Sequence, residues 1–489
     1  MTESEQISTL SYAIRFRVVL KYLGQLMLVQ AALILMPLLV SMMYGESEYT
    51  LRFGIVILGL VIFSLPWLRT PKPDAFQVNE ALVITVLAFL IGAISMIYPF
   101  RLANLSMPDA FFEAISAITT TGLTTIDRVT EKSGTFLFTR SWMQWYGGLG
   151  IVVLSLAILR GNPGISRKLI DTQDQENPFI DLSTYARKIF FVYCILTGVV
   201  FIALFASGNG ILHSLIYSLS SVSTGGFDSL DASTPHNLSV LTQSILIAGS
   251  LLGSITLILY FRAYQKGIQN IFNDIETRTL LYLIMGSFLL LTWFMRNNLD
   301  LGWMQSGWNA FFLTVSAQTT TGFSTYEVSQ LDPSSKIILI LSMFTGGEIG
   351  STAGGIKILR LLIIIQLVHH YLVRTALPSH AVVEPRLAGQ KIEPGDFSSV
   401  FIVLSLYVFL ILISWLLFTA MGMDPLNSLF EVMSATCTVG LSTGLTASDL
   451  HPLLKAVLGF DMLAGRLEII ALFVLIYPRT WLGKRTKSK

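Results

Sequence analysis

One short pattern occurs four times in this chain, at Ser116–Leu123, Ser220–Phe227, Ser316–Phe323 and Ser434–Leu441. Each copy places Ser six residues before a glycine, Thr two before it (Thr120, Thr224, Thr320, Thr438), and Leu or Phe directly after. The glycines are Gly122, Gly226, Gly322 and Gly440, separated by 104, 96 and 118 residues. Any fold this chain adopts must place one unit four times.

Of 489 residues, 53% are hydrophobic and 13% charged, with mean hydropathy +0.66. A soluble domain carries about 25% charge, so the composition predicts a polytopic membrane protein. The first apolar run, 18–43, is long enough to span and lacks a cleavage-site pattern, so it reads as a retained helix and not a signal peptide. Two cysteines, Cys194 and Cys437, cannot build a disulfide framework.

Apolar stretches of roughly 20 residues, the length that crosses hydrocarbon, fall near 18–43, 52–68, 80–100, 137–159, 186–206, 238–261, 279–295, 335–375, 398–422 and 453–477. Four shorter stretches, 108–119, 211–222, 306–318 and 425–436, lie between spans and each leads to one of the four glycines. The predicted unit is therefore helix, half-helix, glycine turn, helix, with a separate helix pair in front. Half-helices at membrane depth are tolerated only where protein or a wet cavity satisfies the backbone beyond them. The fold expected is all-α: two leading helices (1–72) and four helix–pore loop–helix repeats (73–168, 169–270, 271–385, 386–489) around one pseudo-fourfold pore. Pro108-Asp109 and Asp424-Pro425 carry helix-start chemistry.

Placing both termini in the cytoplasm puts 21 of the 32 Lys and Arg inside, eight outside and three within spans, which selects that orientation. All four glycine turns then face outward.

Thr-x-Gly turns converging from four sides suit a dehydrated cation. Backbone carbonyls of converging extended segments replace its hydration shell, glycine allows its carbonyl to point toward an axis, and half-helix C-termini add partial negative charge. The expected filter residues are Thr120, Thr121, Gly122, Thr224, Gly225, Gly226, Thr320, Thr321, Gly322, Thr438, Val439 and Gly440. Asp127, Asp228, Glu327, Asp332 and Asp449 follow the filters and are candidate cation-focusing acids. In the second copy Gly225 and Gly226 compete for the filter position. Phe227, matching Leu123, Phe323 and Leu441, favours Gly226.

The four-copy pattern resembles the TrkH/KtrB superfamily of potassium transporters, which includes fungal Trk and plant HKT proteins, over residues 80–478. The leading helix pair is similar to the TrkH branch. The resemblance implies one filter glycine per repeat and K⁺ as the transported ion. Sodium-preferring HKT relatives carry Ser at the first glycine, so Gly122 points to K⁺. A Na⁺-permeable or Na⁺/H⁺-coupled carrier is the alternative.

The eighth span is interrupted by Phe344–Gly355, with five glycines (Gly346, Gly347, Gly350, Gly354, Gly355) and Glu348. Such a break belongs beside a cavity, and it resembles the family's intramembrane gating loop. Arg466 in the tenth span matches a family arginine near the pore. It is expected to project below the filter and touch the loop, with Glu348 as candidate partner and Asp461 or Glu468 as local alternatives. Lys357 and Arg360 are expected to snorkel toward the cytoplasm.

The six histidines show no metal-ligand spacing, and no phosphate-binding glycine loop is present. No facing Ser/His or Asp/Asp pair stands out within spans, so no enzyme, no nucleic-acid partner and no organic cofactor are expected. The resemblance implies a homodimer, membrane lipid around it, and a cytosolic nucleotide-binding regulatory ring (TrkA-like), in a bacterial cytoplasmic membrane. The tail Lys484–Lys489 suits either docking of that ring or anionic headgroups.

Overall fold

The computed structural model describes residues 13–70, 77–159, 182–229, 238–378 and 384–482. Lys72, Arg160, Arg167, Lys168, His236, His380 and the basic tail lie outside the described residues.

A helical hairpin, α1 (Phe16–Met43) and α2 (Ser47–Leu68), comes first. Large apolar side chains such as Leu39, Leu58 and Phe63 stay exposed on it, as suits a lipid-facing surface. It packs on α3 (Val78–Phe100), whose start is fixed by a capping box between Gln77 and Glu80. Glu80 also holds Arg15, at 2.8 Å, tying the chain's approach to α1 against the first repeat.

The four predicted half-helices are all present: α4 (Met107–Ile118), then, after α5 (Gly134–Leu159) and α6 (Leu182–Ala206), α7 (Ile211–Val222). The second repeat ends in α8 (Val240–Ser254), α9 (Leu257–Lys266) and the short α10 (Gln269–Asn273). The third comprises α11 (Ile275–Asn298), half-helix α12 (Trp303–Gln318), α13 (Pro333–Phe344) and α14 (Ile358–Thr375). After a hairpin of two-residue strands, β1 (Arg386–Leu387) and β2 (Gln390–Lys391), the fourth comprises α15 (Pro394–Ala420), half-helix α16 (Pro425–Thr436), α17 (Pro452–Arg466) and α18 (Ile470–Ile476), followed by the short α19 (Pro478–Trp481). Asp424 caps α16 through the Asn427 amide, 2.8 Å, with Pro425 in the first turn. The cap of α4 is Ser106 and not the predicted Pro108-Asp109 pair; Asp109 sits in the first turn.

Each half-helix stops four residues before its glycine, and its last seven residues are all buried. Inside a membrane, close backbone approach replaces hydrophobic burial as the source of helix association. Small residues supply it here: a Cβ on Gly147, Gly253 or Gly465 would strike the carbonyl of Ile118, Val222 or Thr436 respectively. The outer helices therefore lock onto the half-helix ends, and those ends surround the molecular centre.

Seven described helices are long and apolar enough to cross a membrane, eight if the bent pair α8–α9 counts as one. Three predicted spans are interrupted. The break after Phe344 was legible from its glycines. The sixth span, expected as one helix over 238–261, instead bends by 89° after Ser254. The 345–357 segment causes this, since Glu348 accepts from the Thr256 amide at 2.8 Å, Ile349 O from the Thr256 hydroxyl at 2.6 Å, and Gly350 O from the Leu257 amide at 3.3 Å. The tenth span, expected over 453–477, breaks at Leu467–Ile469, where Glu468 and Ile469 take positive φ of 59° and 56°.

Candidate ion filter and intramembrane loop

The four glycine turns share one backbone geometry. Thr120, Thr224, Thr320 and Thr438 have φ of 54°, 51°, 54° and 52°, and Gly122, Gly226, Gly322 and Gly440 have φ of 89°, 71°, 90° and 98°. A β-branched residue in the left-handed region is strained, by about 1–3 kcal/mol, so four threonines there require a surrounding that overrules local preference. Part of that surrounding is the chain's own: the amides of Thr121, Gly225, Thr321 and Val439 donate to the carbonyls of Ser116, Ser220, Ser316 and Ser434 at 2.8–3.0 Å. The segments are thus not the plain extended strands expected from sequence. Extended chain sends successive residues to opposite faces, whereas left-handed residues on either side of a conventional one allow successive carbonyls to share a face.

The turns close into a ring. A Cβ on Gly122 would collide with the Gly225 carbonyl oxygen, one on Gly226 with that of Thr321, one on Gly322 with that of Val439, and one on Gly440 with that of Thr121. Each repeat's glycine faces the preceding-position carbonyl of the next repeat, and the fourth returns to the first. Gly225 holds the place of Thr121, Thr321 and Val439, which assigns Gly226 as the equivalent of the other three glycines.

Sequence reasoning missed the side chains that brace these turns from behind. Glu113, fully buried, accepts from the Thr124 hydroxyl (2.7 Å) and the Thr125 amide (2.8 Å), and pairs with Arg140 at 3.0 Å. Glu431, at the equivalent position, accepts from Ser442 (2.6 Å), the Thr443 amide (2.7 Å) and Thr446 (2.7 Å). In the second repeat Tyr217 donates to Asp228 at 2.7 Å, and in the third Thr325 donates to Asn309 at 3.0 Å. A glutamate nine residues before the glycine, in the buried half of the half-helix, was the available signal, because a charge at membrane depth is retained only with partners.

Beyond the ring opens a cavity of about 350 Å³, lined by Gly122, Gly322 and Gly440 and bearing Asp127, Asp228 and Glu327. Of the five predicted outer acids these three reach it. Asp332 caps α13, accepting from the Ser334 and Ser335 amides, and neither it nor Asp449 is among the lining residues.

On the other side of the ring lies the 345–357 segment. Gly346 N donates to Ile356 O and Ile356 N to Phe344 O, both at 3.0 Å, closing the segment into a loop. Gln318, at the end of α12, donates to the Thr345 carbonyl. The loop touches three of the four threonines: Gly354 N donates to Thr320 Oγ1 (2.6 Å), Thr224 and Thr352 share a hydroxyl contact (3.3 Å), and a Cβ on Gly354 would strike Thr438 Oγ1.

Arg466 is buried and donates from Nη1 to the Thr352 carbonyl at 2.8 Å. Its Nε and Nη2 have no hydrogen-bond partner among the described residues. The expected partners are engaged elsewhere. Glu348 binds Thr256 and Thr277 (2.6 Å), Asp461 binds Ser414 (2.9 Å), and Glu468 pairs with Arg360 at 2.5 Å. Nor does Lys357 snorkel: it is buried and turns back to the Ala353 carbonyl at 2.5 Å, closing off the loop's end.

The family model TrkH, described as cation transport protein, matches residues 51–481. An uncharacterized cation transporter of Methanocaldococcus jannaschii is 29% identical over 464 residues, covering 94% of both chains. The Trk system potassium uptake protein TrkH of Escherichia coli K12 is 27% identical over 486 residues, covering 95% of this chain and 99% of that one. The crystal structure of the potassium transporter TrkH from Vibrio parahaemolyticus superposes with a TM-score of 0.86 at 27% identity, over 96% of this chain and 100% of that one. With its helix hairpin, four half-helices closed in a ring and a loop beneath them, the chain belongs to the TrkH family of cation transport proteins.

Proposed function

We propose that this chain is the pore-forming subunit of a potassium-uptake system in a bacterial cytoplasmic membrane, with both termini cytoplasmic. The observation that carries the reading is the closed ring of four glycines and four carbonyls. Oxygen ligands supplied from four sides replace the hydration shell of a monovalent cation. Asp127, Asp228 and Glu327 concentrate cations in the outer cavity. The ion sheds water at the ring formed by Thr120–Gly122, Thr224–Gly226, Thr320–Gly322 and Thr438–Gly440, and passes the loop containing Gly346, Gly347, Glu348, Gly350, Gly354 and Gly355, which acts with Arg466 as the gate. Relatives named as Trk system potassium uptake proteins support K⁺ as the ion.

On the same proposal the chain works as a homodimer with a cytosolic nucleotide-binding subunit, as the resemblance to the TrkH branch implies; the relatives' names speak only of a Trk system. The test is K⁺ uptake by a transport-deficient strain expressing this chain, with and without such a subunit. Restored uptake supports the proposal, and failure in both strains sinks it. Gly122→Ser places a Cβ against the Gly225 carbonyl, so it is expected to lower the preference for K⁺ over Na⁺.

A further inference from the structure

The second repeat departs from the other three at the position just before the ring glycine. Where they carry Thr121, Thr321 and Val439, it carries Gly225. The two threonines fill the space beside their own turns, each with its hydroxyl 2.8 Å from a second threonine two residues earlier, Thr119 or Thr319. In the second repeat that space is filled from outside. A Cβ on Gly225 would lie 2.5 Å from the Gln144 Cδ, 2.7 Å from its Oε1 and 2.8 Å from its Nε2. Gln144 belongs to α5, in the first repeat, and is completely buried.

The amide makes two contacts with the turn it backs. Its Nε2 donates to the Gly225 carbonyl and its Oε1 accepts from the Phe227 amide at 3.2 Å. One donor and one acceptor on opposite ends fix which way the amide faces. Gln144 therefore ties together the residues on either side of Gly226. The equivalent helix positions, counted from Gly253 and Gly465 as Gln144 is from Gly147, hold Ser250 and Met462. Ser250 bonds back to the Leu246 carbonyl at 2.9 Å, and Met462 has no amide to offer.

We propose that Gln144 is a specificity-determining residue of the filter, a side chain from one repeat that holds a ring carbonyl of the next and prevents that quarter of the ring from contracting around a smaller cation. This rests on the filter reading above. A carbonyl that accepts an amide hydrogen bond is restrained in direction and shares its lone-pair density, so the Gly225 carbonyl is stiffer and a weaker ligand than its three counterparts. Selectivity between K⁺ and Na⁺ depends on such stiffness and on ligand field. The glycine pair is the complement of this arrangement, since only a residue without Cβ at 225 leaves room for the amide.

The test uses the full chain, purified and reconstituted in vesicles, with K⁺ and Na⁺ flux measured in parallel. Gln144→Glu keeps the shape and removes the donor, and Gln144→Ala removes both contacts. Each is expected to lower the K⁺/Na⁺ flux ratio by about three- to tenfold, the span to which the net worth of a neutral hydrogen bond corresponds. Gly225→Thr alone is expected to abolish flux by collision with Gln144, and Gly225→Thr with Gln144→Ala to recover it. Should Gln144→Ala fail to elute as a folded protein, the isosteric Gln144→Glu carries the ratio measurement. An unchanged ratio in Gln144→Glu while Gly122→Ser shifts it would overturn the role of Gln144 and leave the filter standing. If Gly122→Ser shifts nothing either, it is the filter reading that fails.

Discussion

The carbonyl oxygen of Thr121, in the first repeat, stands where a Cβ on Gly440, in the last repeat, would have to be. These residues are 319 positions apart in sequence, and their contact is the one that turns a row of four repeats into a ring.

Gly440→Ala is therefore expected to damage the ring where it closes. The new methyl meets backbone, which cannot swing away as a side chain would, and φ of 98° disfavours any residue with a Cβ. Overpacking of this kind costs about 1–3 kcal/mol. Cation uptake should be lost while helix content, followed by circular dichroism, stays unchanged. Full uptake by this variant would mean that the ring does not carry the ion.

The bracing behind the ring has its own signature. Glu113→Ala strands the buried Arg140 and removes the acceptor for Thr124 and Thr125. Leaving one buried partner of an ion pair uncompensated costs about 3–5 kcal/mol, so thermal unfolding in detergent should shift down and uptake should fall steeply. Glu113→Met together with Arg140→Met removes both charges and is expected to recover most of the thermal stability. A double variant no more stable than Glu113→Ala would assign the loss to the Thr124 and Thr125 contacts instead.

Much of this was readable beforehand, for a physical reason. The half-helices were predicted to within three residues because they are short apolar runs between longer ones, and the four equivalent glycine turns stand out because an identical local strain demands an identical local sequence four times. What was not readable depends on partners distant in sequence. Arg466 could be matched with Glu348, Asp461 or Glu468 on charge alone, yet each acid has a nearer partner in space and the guanidinium binds a carbonyl. The bend after Ser254 has no local breaker of the kind that marks Phe344–Gly355, because it is stabilised by hydrogen bonds from a loop some 90 residues on. Nothing near Gln144 in sequence marks its contacts with Gly225 and Phe227, some 80 residues on.

Arg466 holds the loop by a single bond, Nη1 to Thr352 O, while Thr352 also donates its amide to Gly253 O at 3.1 Å and its hydroxyl to Val222 O at 3.0 Å. On the proposed function, removing the guanidinium should free one side of the loop and take a fixed positive charge from beside it. Arg466→Ala is expected to raise K⁺ flux several-fold in vesicles lacking any regulatory subunit. Unchanged flux kinetics would remove Arg466 from the proposed gate.

The pair Arg360 and Glu468, 2.5 Å apart, joins the start of α14, just past the loop, to the break in the tenth span. Glu468 and Ile469 are consecutive non-glycine residues at positive φ, a conformation each pays about 1–3 kcal/mol to hold. Arg466 lies two residues before them, so the same break sets where its guanidinium points. The ion pair is therefore expected to position Arg466 as well as to join two helices. Glu468→Gln and Arg360→Gln should each raise resting flux in the same direction as Arg466→Ala, and the double variant should add little to either single one. In a double-mutant cycle on thermal stability, contacting residues show coupling of about 0.5–3 kcal/mol. Strict additivity in both flux and stability would show that the pair is a surface contact without influence on the loop, and the strain at Glu468 and Ile469 would then have to be held by the packing of Leu467 and Ile469, both almost fully buried.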